Sequence, residues 1–169
     1  EEMSISVINA ENSFNAIKIA DVMTTLGLKT KVIVDLDFAF QLAQEQGLLD
    51  EQNASITWCK NYFTELQQQD EVQLDARGLP RSFNGTPAAR AYELLAKNED
   101  AQTHIGFIHS ELKEQNYWLW KRGTIETHLG LAGKQSKHRA HFVEELLEQG
   151  DRIDLPDNDG VRELCHWLR

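Results

Sequence analysis

The segment Lys31-Val32-Ile33-Val34-Asp35-Leu36-Asp37 constrains the fold more than any other stretch: a short β-branched run stops at two carboxylates spaced i, i+2. β-Branched residues fit the pleated, half-buried surface of a sheet, and residues two apart in a strand point to the same side. Both carboxylates are therefore expected to converge at the strand's carboxyl end, the edge where ligands bind in open α/β sheets. Like charges held that close repel unless a cation or a proton lies between them, and hard oxygen donors favour Mg²⁺ or Mn²⁺. The spacing points to a divalent-metal site at Asp35 and Asp37. An ordinary strand exit competes with it, since aspartate is common in turns and Asp37 can cap a helix that begins Phe38-Ala39-Phe40.

The surrounding sequence says what kind of sheet this strand belongs to. Ser4 to Ala10 alternates apolar and polar residues and reads as a strand. Asn12 or Ser13 then caps a helix with the stripe Ile19, Val22, Met23 and Leu26, stopped by Gly27. With Lys31 to Asp37 this makes a βαβ unit over residues 1–37, which predicts parallel strands and a right-handed crossover. Residues 38–116 turn helical, in segments from Phe38 to Leu49, Ser55 to about Gln69, Thr86 to Lys97 and Ala101 to Glu114, and read as a helical insertion between sheet strands. Gly78, Pro80, Gly85 and Pro87 mark an irregular loop within it. Arg77, Arg81 and Arg90 flank that loop, either to meet phosphate or as a solvated face.

Strand character returns at Tyr117-Trp118-Leu119-Trp120, which opens the last region, 117–169. Gly123 permits a turn and Thr124 is a good N-cap, so Glu126 stands in the first turn of a helix just past a strand's carboxyl end, on the same sheet edge as Asp35. A first-turn glutamate answering the helix dipole accounts for it equally. An amphipathic helix from Lys137 to Gln149, an acidic turn from Asp151 to Asp159 and a short helix carrying Leu164, Trp167 and Leu168 complete the chain. Its 169 residues suit one domain and can bury roughly 68 to 70 per cent of their unfolded surface.

Composition narrows the function classes. A net charge of −10 disfavours a broad nucleic-acid footprint, which needs clustered Lys and Arg, but leaves room for a small site. Lys121-Arg122 and the run from Lys134 to Arg139 are local basic clusters, read first as solvated faces. No apolar stretch nears the ~20 residues that span a bilayer, so no membrane partner is expected. The opening Glu1-Glu2-Met3-Ser4 has no basic n-region, and Cys59 and Cys165 read as buried free thiols. A cytoplasmic setting is expected. His138 and His141 are spaced i, i+3 but lack the carboxylate or cysteine companion of a metal site, while His104, His109 and His128 have no ligand-like neighbours in sequence.

The order of features resembles the Toprim domain of OLD-family (overcoming lysogenization defect) ATP-dependent nucleases. The likeness rests on Ile5-Ser6-Val7-Ile8-Asn9, a helix ending Leu26-Gly27-Leu28, Val32-Ile33-Val34-Asp35-Leu36-Asp37, the helical insertion, and Trp118-Leu119-Trp120-Lys121-Arg122-Gly123-Thr124-Ile125-Glu126. It implies an α/β fold, a Toprim-like parallel sheet flanked by helices. Asp35 and Asp37 become the Toprim Asp-x-Asp pair, Glu126 a later metal ligand and Lys121 a basic catalytic position. The Toprim glutamate that follows the first strand has no clear counterpart, so the first strand and helix of that fold are expected to precede Glu1. The resemblance further implies phosphodiester hydrolysis of DNA with Mg²⁺ or Mn²⁺, two ions together. ATP enters only through an upstream ATPase domain or subunit, because no Walker-type loop occurs in these residues. A homo-oligomer and a role in anti-phage defence are implied as well.

Two alternatives accompany this reading. A haloacid-dehalogenase-like phosphatase would use Asp35 as nucleophile and Asp37 as general acid, but it wants Thr or Val where Ala39 stands, and Gly150-Asp151-Arg152-Ile153-Asp154 misses its late acidic motif by one residue. A non-catalytic dimerisation or docking module would use Trp58, Trp118, Trp120 and Trp167 as core or interface anchors.

Overall fold

The computed structural model describes residues 6–133, 135–150 and 153–169. They divide into two compact units, one running to Gly123 and the other from Thr124 to Arg169. The architecture is mixed α/β, about 54% helix, with a small parallel sheet of two strands.

In the first unit, helix α1 (Ser13–Thr25) starts at Asn12, whose side chain accepts from the Asn15 amide at 2.9 Å. It ends where Gly27 takes φ +80°, a conformation glycine reaches without strain, and the Leu28 amide bonds back to the Met23 carbonyl. The buried face of α1 is Ile17 and Ala20, whereas Val22 and Leu26 are 59% and 69% exposed. The stripe expected from the sequence therefore lies largely outside. Residues 6–10 form no strand and are mostly exposed, Val7 at 91%; Ser4 and Ile5 lie outside the described residues. Alternation marks which residues can share a sheet face, but a strand also needs a neighbour to take its backbone hydrogen bonds, and among the described residues no strand pairs with 6–10. Within the described residues the expected strand, helix, strand succession is thus a helix and a strand.

That strand, β1 (Val32–Val34), pairs in parallel with β4 (Tyr117–Leu119), with Val32 opposite Tyr117 and Val34 opposite Leu119. All three β4 residues and Trp120 are buried, as expected of a parallel strand covered on both faces. Trp118 and Trp120 are core residues. Trp118 meets the His109 ring edge-on at 4.7 Å, and His109 Nδ1 bonds the Leu119 carbonyl at 2.9 Å.

The segment between these strands is helical as expected, except that its first helix is brief. α2 (Phe38–Gln41) is followed by α3 (Ala54–Gln68), a short antiparallel hairpin of β2 (Gln73–Leu74) and β3 (Pro80–Arg81), α4 (Ala89–Lys97) and α5 (Glu99–Glu114). The hairpin occupies part of what reads as irregular loop; Asp75 organises its turn by accepting from the Arg77 and Leu79 amides at 2.8 and 2.9 Å. The Leu79 bond, the larger effect, and the Arg77 contacts hold the Asp75 carboxyl below its ordinary value. α5 packs against α3, α4 and β4. Phe40, Phe63 and Tyr92 meet at 5.3 to 5.7 Å in the centre of this core, each such ring contributing about 1.5 to 3 kcal/mol by burial. Cys59 is fully buried, which pushes its thiol up to about 12; Cys165, expected to be buried, is exposed.

The second unit holds α6 (Ile125–Leu129), α7 (Ser136–Gln149) and α8 (Asn158–Leu168). Leu164 is its buried apolar residue on α8. Among the described residues no helix is long and apolar enough to cross a membrane.

Candidate metal centre

Parallel pairing fixes one rim of the first unit. Asp35 follows directly on Val34, and Trp120 and Lys121 follow on Leu119, so Asp35 and Lys121 leave the sheet at the same carboxyl edge. The Trp120 amide continues the ladder to the Val34 carbonyl at 2.9 Å, and the Leu36 amide donates to the Gly123 carbonyl at 2.7 Å. Gly123 turns there at φ +107°. Asp35 and Asp37 are half-buried, with Leu36 fully buried between them.

The chain leaves extended geometry sooner than the i, i+2 argument assumes. The Asp35 carbonyl accepts from the Phe38 amide at 3.1 Å, and Asp37 is already helical at φ −63°, ψ −26°. Asp37 occupies the N-cap position of α2 without making a side-chain cap bond; its Oδ2 instead lies 3.4 Å from Gln41 Nε2. A turn, rather than strand alternation, sets the relation between the two aspartates, because Leu36 anchors in the core and bends the backbone.

Glu126 belongs to the second unit. It sits in the first turn of α6, with Thr124 at the N-cap position, and is only 6% exposed. Arg139 reaches its Oε1 at 3.5 Å, whereas Oε2 is buried with no hydrogen-bond partner among the described residues. A buried carboxylate oxygen without a partner is costly unless a cation answers it. Among the described residues no group of three or more His, Cys, Asp or Glu side chains could itself hold a metal ion. Taken singly, Asp35 and Asp37 in the first unit and Glu126 in the second each carry hard oxygen donors of the kind a divalent cation prefers.

Two residues of the same unit meet in a contact that the sequence did not show. His128, 1% exposed, bonds through Nδ1 to Oδ2 of Asp157, whose Oδ1 accepts from the Gly160 amide and so caps α8. A Cβ at position 160 would come within 2.2 Å of the Asp157 carboxylate, which explains the glycine. The pair tethers α6 to α8 across a sequence gap that no local pattern bridges. Asp157→Ala removes both bonds and should lower stability by about 2 to 4 kcal/mol; Asp157→Asn keeps an acceptor for the cap and should lose less. Urea unfolding of the two variants separates the cap from the histidine bond.

Two of the three loop arginines pair with carboxylates. Arg77 pairs with Asp75 and Glu45 at 3.3 and 3.6 Å, and Arg90 with Glu93 at 3.6 Å. Arg81 lies over the Phe83 ring.

No protein-family model matches the chain, and no solved structure matches it. The chain is similar to the Old nuclease of Escherichia phage P2, with 24% identity along an alignment that covers 97% of this chain. It spans only 28% of that relative's length, at the C-terminal end. Extending over nearly every residue, this similarity is consistent with an OLD-family C-terminal domain.

Proposed function

We propose that the chain is the nuclease domain of an OLD-like DNA endonuclease with a Toprim-like active site, hydrolysing phosphodiester bonds with Mg²⁺ or Mn²⁺. The distant homology to a nuclease along nearly the whole chain carries this reading. The sheet supports it by placing Asp35 at the same carboxyl rim as Lys121. Asp35, Asp37 and Glu126 would hold the ions, and the buried Oε2 of Glu126 is suited to such a role. Divalent ions so bound supply Lewis acidity and a hydroxide nucleophile at neutral pH.

The chain's own residues then have defined tasks. Asp35 and Asp37 concentrate negative charge where the cations are required. Lys121, with exposed Arg122 beside it, offsets charge on the scissile phosphate. The acidic balance of the rest of the chain repels DNA from other faces, so affinity for the duplex has to come mainly from an ATPase domain or subunit upstream. We place the assembled enzyme in the cytoplasm, acting in defence against phage.

Glu126→Gln tests the metal site directly. The change keeps the side chain's size and one acceptor oxygen but removes the charge, and should weaken Mn²⁺ binding roughly tenfold or more by calorimetric titration of this chain. Unchanged affinity would reduce Glu126 to a first-turn residue facing a helix dipole.

A further inference from the structure

Tyr92 carries an oxygen that the core does not need. Its ring, 3% exposed, is packed by Phe40 at 5.7 Å and Phe63 at 5.3 Å, and a phenylalanine ring would fill that space as well. The hydroxyl is buried and has no hydrogen-bond partner among the described residues. A hydroxyl in that condition lowers stability, because it has left water without gaining a partner. Burial, the largest influence on it, pushes its pKa above the ordinary tyrosine value; the Gln41 side chain comes next and opposes that push, while the charges of Asp37 and Asp75 add to it. The unpartnered oxygen thus lies within reach of α2 side chains that border the candidate metal centre.

Gln41 connects the two. It ends α2, one helical turn after Asp37, and its Nε2 lies 3.4 Å from Asp37 Oδ2. A carboxylate that holds a cation is oriented by the hydrogen bonds of its neighbours. A glutamine side chain alone orients little, since its terminal torsion is broad and its amide can present either N–H or C=O. Only the N–H suits a carboxylate. A second polar group on the amide removes that freedom: Nε2 has two N–H donors and Oε1 accepts, so the amide can hold Asp37 and still meet a hydroxyl, which both donates and accepts. Tyr92 supplies such a group from a fixed position, because Phe40 and Phe63 hold its ring.

We propose that Tyr92 is a positioning residue for the metal centre: its hydroxyl closes onto the Gln41 amide, locks that amide to Asp37 Oδ2 and leaves Oδ1 for a divalent cation. The inference rests on the reading of Asp37 as a metal ligand and adds the two side chains that hold it in place.

Calorimetric titration of Mn²⁺ into the full 169-residue chain, with urea unfolding alongside, tests this. Tyr92→Phe removes one oxygen and keeps the packed ring. It should bind Mn²⁺ about three- to tenfold more weakly while its urea midpoint stays or rises. A hydroxyl serving the core alone would do the opposite, lowering the midpoint and leaving the affinity. Gln41→Met, similar in length but without the amide, should weaken binding about tenfold, and adding Tyr92→Phe to it should change the affinity by less than about twofold, since the hydroxyl acts through the amide. Unaltered affinity in Tyr92→Phe, or a full additional loss in the double variant, overturns the proposal. Asp37→Ala is the reference. If it binds Mn²⁺ as tightly as the unaltered chain, the reading of Asp37 as a ligand fails and the positioning role goes with it; a weakened Asp37→Ala beside an unchanged Tyr92→Phe sinks the positioning role alone. If the chain takes up no Mn²⁺ by itself, the Gln41 side-chain amide resonances decide: they should move in Tyr92→Phe in ion-free solution, and resonances that stay in place overturn the bridge.

Discussion

If the proposed function holds, Asp35→Ala should abolish Mg²⁺- or Mn²⁺-dependent nicking of supercoiled plasmid by a protein that joins this chain to the proposed ATPase region, a drop of more than about a hundredfold, while the fold survives. The magnitude follows from the several kcal/mol that bound metal contributes to phosphoryl chemistry, each 1.36 kcal/mol being about tenfold in rate. The fold survives because Asp35 is half-buried at the sheet rim rather than in the core, and the turn it enters is made by its carbonyl, which alanine keeps. Plasmid relaxation followed on gels, with near-ultraviolet circular dichroism as the folding control, reads both halves of this expectation. Undiminished cleavage by a clean preparation of the folded variant would refute the assignment of Asp35.

Phe63→Ala should produce the largest loss of stability. Phe63 is fully buried, with its ring edge-on to Tyr92 at 5.3 Å and to Phe40 at 5.4 Å. Truncation removes the buried ring and leaves a cavity between α3, α4 and the segment after β1, at a cost of about 3 to 5 kcal/mol. That is a large share of the ~5 to 15 kcal/mol that holds an ordinary domain together. Urea titration by tryptophan fluorescence measures it. A loss below about 1 kcal/mol would mean that the aromatic cluster closes over the gap and is not the centre of the insertion's core.

The sheet and its rim were legible in the sequence because they depend on local signals. The β-branched Val32-Ile33-Val34 and the aromatic Tyr117-Trp118-Leu119 announce strands, and each is followed by residues that end one: two aspartates in the first case, Gly123 in the second. Their parallel pairing follows from the helical segment between them. Ser6 to Ala10 misled because alternation describes a face without promising a neighbour. The buried side of α1 was misjudged for a related reason: Ile17 and Ala20 are chosen by what β1 offers, and Val22 and Leu26 are equally apolar but face away.

The candidate site was readable in part. Thr124 and Gly123 located Glu126 at the head of a helix, yet nothing nearby shows that one of its oxygens is buried without a partner. The turn at Leu36 replaced a strand geometry because a fully buried leucine outweighs the continuation of β1. His128 and Asp157 are joined only by tertiary structure; an aspartate three residues before a glycine suggests a cap, but not a buried imidazole.

The ladder between β1 and β4 is three residues long on each side and joins segments separated by the whole of 35–116. Closing so long a detour for so few rungs is entropically unfavourable until the intervening helices have condensed and drawn its ends together. The rim that carries Asp35 and Lys121 is therefore expected to form late in folding. A lesion deep in the insertion, many residues from either strand, is then expected to disturb the geometry of a rim it never touches.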